Sequence, residues 1–75
     1  MVNESALRGR IFSRYRNISE FGNRIGWNHQ KVFRILSGKQ SPTADEIGVM
    51  SNALDINDAD TLVSVFFADR VHKVD

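Results

Sequence analysis

Residues 17–39 read NISEFGNRIGWNHQKVFRILSGK, and the fold turns on this stretch. Apolar or small residues fall at Phe21, Gly22, Ile25, Val32, Ile35 and Leu36, the positions at which two short crossed helices touch. Between them stands Gly26, where the chain must turn sharply and glycine alone takes positive φ without steric cost. Polar and basic side chains collect on the second of the two segments. The spacing predicts a helix-turn-helix over about residues 17–38, a motif that lays its second helix in the major groove of duplex DNA.

Working outward, the pattern predicts five helices, and no segment alternates long enough to make a strand. The first is expected from near residue 5 to residue 15 or 16, with Leu7, Ile11 and Tyr15 recurring every fourth residue and Phe12 widening the stripe. Asn17 is placed to cap the second helix, with Glu20 at capping-box spacing. Asn28 is placed to cap the third, which is expected to run to about Ser37 and stop at Gly38. After the loop through Pro42, Thr43 and Glu46 repeat the capping-box spacing, and Ile47, Met50, Ala53 and Leu54 give the fourth helix an apolar face. Asn57 is expected to cap the fifth, with Leu62, Val65 and Phe66 facing inward. Val63, Phe67, Val71 and Val74 are left over.

The 75 residues suit one small domain, 1–75, near the lower limit for a chain that folds alone. With no cysteine, neither disulfides nor a thiolate metal site can brace it. No apolar run approaches the roughly 18–20 residues that span a bilayer, and the first residues lack signal-peptide features. A soluble cytoplasmic protein without cofactor or metal is the expectation. Net charge is only +1, but it is unevenly distributed. Residues 1–40 carry eight basic side chains against Glu4 and Glu20, whereas residues 41–75 carry two basic against seven acidic. The first half is therefore the one suited to an anionic partner.

Taken in order, Phe21-Gly22, Gly26, Val32, Ile35, Ser37-Gly38-Lys39, Pro42-Thr43 and Leu54-Asp55-Ile56 resemble the phage repressor and Cro-like helix-turn-helix proteins, the Xre-type regulators. The GWNHQKV segment is similar to variants with tryptophan after the turn glycine, and the ending Val65-Phe66-Phe67 to Val71 resembles short regulators of phages of Gram-positive hosts. The resemblance implies an all-α, compact five-helix lambda-repressor-like domain. Three positions depart from the family pattern. Gly22 stands where alanine is commoner, Ile18 where a polar residue often bonds a phosphate, and Leu36 where glutamate is frequent.

In that frame the outward positions of the third helix, Asn28, His29, Gln30, Lys31 and Arg34, are the candidate base contacts. Gln30 suits adenine and Arg34 suits guanine, each through two hydrogen bonds. Candidate phosphate contacts are Asn17 and Ser19 at the start of the second helix, Lys39, Gln40 and Ser41 after the third, and Arg10 or Arg14 on the first. Trp27 is expected to pack over the turn. Phe33 is expected to pack against the fourth helix in preference to a thymine methyl group. His72 has no companion ligand for a metal.

These residues point to a regulator that occupies a double-stranded DNA operator, of the phage Cro-like or small-repressor kind. One such domain covers few base pairs, so a homodimer on DNA is expected, with Val63, Phe67, Val71 and Val74, within a dimerisation element at about 57–75, as its interface. The alternative is an antirepressor, modulator or antitoxin-type protein that binds another regulator. An enzyme is not expected, because no nucleophile, carboxylate pair or phosphate loop stands out.

Overall fold

Each helix begins where a short oxygen-bearing side chain meets a free backbone N–H. Asn3, Asn17, Asn28, Thr43 and Asp58 accept from the N–H three residues on, at 3.1, 2.8, 2.8, 3.1 and 2.8 Å. They open α1 (Glu4–Arg14), α2 (Ile18–Ile25), α3 (His29–Leu36), α4 (Ala44–Ala53) and α5 (Ala59–Phe66). The computed structural model describes residues 2–68, and among these there is no strand. The chain is all-α, as its periodicity predicts.

Two of the starts differ from expectation. The fifth helix is capped by Asp58, not Asn57, whose amide instead donates to Asp55 Oδ1 at 3.0 Å. At α2 the capping box is incomplete. Glu20 donates its N–H to Asn17, but its own carboxylate accepts from the Arg16 N–H at 3.1 Å. Only Thr43 and Glu46 form the reciprocal pair.

Three helices end in the same way. A residue with positive φ lets two N–H groups turn back onto the last carbonyls, the Schellman arrangement. At α2 the residue is Gly26 (φ 78°), with Trp27 N–H donating to Gly22 at 2.8 Å. At α3 it is Gly38 (φ 81°), with Lys39 N–H donating to Arg34 at 3.0 Å. At α4 it is Asp55 (φ 57°), with Ile56 N–H donating to Ser51 at 2.9 Å. Aspartate tolerates this region better than most side chains.

The core draws on every helix: Leu7 and Ile11, Ile18 and Phe21, Val32, Ile35 and Leu36, Ile47 and Met50, Val65 and Phe66. Val2, Leu54 and Ile56 close it from the connecting segments. Ile18 is thus a core residue, and the fully enclosed Leu36 needs no ionic partner. The Asn3 N–H donates to the Val65 carbonyl at 2.8 Å, which ties the start of the chain to α5. No helix of the described residues is long and apolar enough to cross a membrane.

Two carboxylates in this framework link stability to acidity. Glu46 is held below its ordinary value of 4.5, chiefly by the hydrogen bond from Lys31 and then by the Thr43 N–H. Asp58 is held below its ordinary 3.8, first by the Thr61 hydroxyl and then by the Thr61 N–H. A depressed folded-state pKa stabilises above the unfolded value and loses that contribution as pH falls through the folded one. Urea unfolding is therefore expected to become easier as pH drops below 4.5. Glu46→Gln and Asp58→Asn should each flatten that decline, which a midpoint series from about pH 7 to about pH 3 checks.

Candidate nucleic-acid interface

At about 100° per residue, α3 divides into a buried side and three outward strips. Val32, Ile35 and Leu36 make the buried side. Opposite them, Gln30 and Arg34 lie about one turn apart and within about 40° of each other around the axis. His29 and Phe33 form the strip on one flank, and Lys31 lies on the other. The five candidate base contacts thus run from the cap of α3 to its last turn, in unlike surroundings.

Arg34 is held by the chain that follows it. Its Nε donates to Gln40 Oε1 at 3.1 Å, while its carbonyl accepts the N–H groups of Lys39 and Gln40 at 3.0 and 3.1 Å. The positive φ at Gly38 is what folds residues 39 and 40 back to this point. That bond uses Nε and not the terminal amino pair, and it consumes the acceptor end of Gln40 but not its donor amide. Lys39 and Ser41 are exposed beside it.

Lys31 is differently placed. Its Nζ lies 2.6 Å from Glu46 Oε2 and 4.4 Å from the centroid of the Trp27 ring. Trp27 itself is partly buried against the core, over the turn as expected. Glu46 therefore serves two purposes, with one oxygen capping α4 and the other holding Lys31. Asn28 uses its Oδ1 to cap α3, which leaves its amide as a donor.

Phe33 remains 45% exposed. Its neighbours are His29, one turn earlier, and Arg8 of α1, whose guanidinium carbon lies 5.9 Å from the ring centroid. Arg8 also donates its Nε to Glu4 at 3.0 Å. Sequence reasoning passed over Arg8 in favour of Arg10 and Arg14. Leu7 and Ile11 mark the buried side of α1, and Arg8 falls on one flank of it, Arg10 and Arg14 on the other. Arg14 pairs with Asp55 at 3.1 Å, and Arg10 lines a groove between α1 and α5 together with Asp60.

Asn17 and Ser19 are exposed at the first turn of α2, with the Asn17 Oδ1 engaged by the Glu20 N–H. On α5, Val63 is exposed, whereas Phe67 is partly buried against the chain's own core. Val71 and Val74 lie outside the described residues, as does His72. Among the described residues no three histidine, aspartate or glutamate side chains come together as metal ligands.

Comparison with protein-family models, with curated proteins and with solved structures returned no match.

Proposed function

We propose that this chain is a sequence-specific regulator that binds double-stranded DNA by laying α3 in the major groove. The observation that carries the reading is the outward strip of Gln30 and Arg34, flanked by exposed Lys39 and Ser41 and the half-buried Gln40. A helix about 10–12 Å across fits a groove about 12 Å wide. Gln30 offers the donor and acceptor that adenine requires. The terminal amino pair of Arg34 matches the two acceptors of guanine. Lys39, Ser41 and the donor amide of Gln40 would meet phosphate oxygens and fix the register. By occupying an operator in this way the protein would exclude polymerase or a competing regulator.

A second copy completes the proposal, because one α3 reaches only a few base pairs. The exposed Val63 on α5 and the uncovered part of Phe67 at its C-cap support a contact between copies there. The acidic side chains Asp58 and Asp60 at the start of that helix would keep it away from phosphate.

Arg34→Ala and Gln30→Ala are each expected to weaken binding to the preferred duplex by roughly 1–3 kcal/mol. Fluorescence anisotropy at fixed salt measures this, with Tm as the control for folding. Full binding by both variants would overturn the proposal. In that case, loss of biological activity on changing Val63 or Phe67 would point to a protein partner instead.

A further inference from the structure

Phe33 is the outward side chain of α3 that can make no hydrogen bond, and it stands about 60° around the axis from Gln30. Its ring is held while only about half covered. The His29 ring lies 6.1 Å away at 46°, and the Arg8 guanidinium stands 5.9 Å from its centroid. Nearly half of the residue's surface nonetheless stays open to solvent. A phenyl ring fixed in this way presents a flat apolar surface next to two hydrogen-bonding side chains.

Base-pair edges in the major groove carry donors and acceptors, and the apolar exception among the four bases is the 5-methyl group of thymine. Pressing a phenyl ring onto a donor or acceptor would strip its water without replacing it, at a cost. Pressing it onto a methyl group is favourable. We propose that Phe33 is a specificity-determining residue that packs on the 5-methyl group of a thymine beside the base pair met by Gln30, with Arg8 and His29 holding the ring. This assignment rests on the duplex-DNA reading above.

The test replaces each thymine of the duplex recovered by selection, one at a time, with uracil, which removes only the methyl group. One position in each half-site should then weaken wild-type binding about fourfold, the worth of one buried methyl. At that position Phe33→Ala should bind the thymine and uracil duplexes equally, while Gln30→Ala, though weaker overall, keeps the fourfold ratio. Phe33→Ala should stay folded with a Tm within a few degrees of wild type, because the ring lies outside the core. Wild-type indifference to uracil at every position overturns the assignment, as does a full thymine preference in Phe33→Ala. A selection that enriches no sequence overturns the duplex-DNA reading itself, and this assignment with it.

Discussion

Phe21→Ala is expected to destabilise the domain by about 3–5 kcal/mol. Phe21 is fully enclosed on α2, and the Tyr15 ring meets it edge-on at 5.2 Å between centroids. Tyr15 is in turn fixed by its hydroxyl, which donates to the Ala53 carbonyl at 3.1 Å, so the pair links α2 to the ends of α1 and α4. Truncation removes the transfer energy of the ring and leaves a cavity that three helices would have to close together. The whole stability of a domain this size is only about 4–11 kcal/mol, so the loss takes roughly a quarter of it at the least and all of it at the most. Trp27, the single tryptophan, reports the transition in urea by fluorescence, with far-UV dichroism as a second probe. Phe12→Ala is the matched control. Phe12 is 48% exposed on α1, and its loss should change stability by no more than about 0.5 kcal/mol. Equal effects from the two truncations would contradict the assignment of the core.

Gly22→Ala should also destabilise, although alanine favours a helix by about 1 kcal/mol over glycine. A Cβ on Gly22 would stand 2.8 Å from the Trp27 carbonyl oxygen and 3.5 Å from Val32 Cγ2. The first of these is backbone and cannot swing aside. It belongs to the residue whose N–H donates to the Gly22 carbonyl, so relief of the clash strains the bond that ends α2. Overpacking of this kind costs about 1–3 kcal/mol, of which the helix propensity of alanine returns up to about 1, and each kcal/mol lost lowers Tm by about 4–8 °C in a domain of this size. Because the turn also sets where α3 begins, the variant should lose duplex affinity beyond its loss of stability, measured where both proteins remain folded. An unchanged or higher Tm would show that α2 and α3 do not approach as closely as described. Glycine at position 22 is thus what so closely closed a turn requires.

Local chemistry made most of the helices legible. Asn17, Asn28 and Thr43 are oxygen-bearing side chains next to apolar periodicity, and Gly26 and Gly38 stand where left-handed backbone is needed. Asp58 was missed because Asn57 beside it is an equally good cap by type, and the choice depends on where the chain leaves Asp55. The surroundings of α3 were less legible, since they are set by packing between helices. The period of α1 places Arg8 and Arg10 on opposite flanks, but which flank faces α3 is a tertiary fact. Lys31 and Glu46 lie on different helices, so nothing in the local pattern announces their pair. Phe33 sits next to core residue Val32, and an apolar side chain at the edge of a stripe is ordinarily assigned to the interior. Here the residue keeps 45% exposure, with the Arg8 guanidinium 5.9 Å from its ring centroid.

The outward strip of Gln30 and Arg34 is the centre of the functional proposal, and selection of bound duplexes from a random pool tests it most directly. A two-fold symmetric site with half-sites about one helical turn apart should be enriched. Its affinity should fall steeply with salt as phosphate contacts release counterions. A pool that enriches no sequence, with binding weak at low and high salt alike, would contradict the account and shift the search to a protein partner.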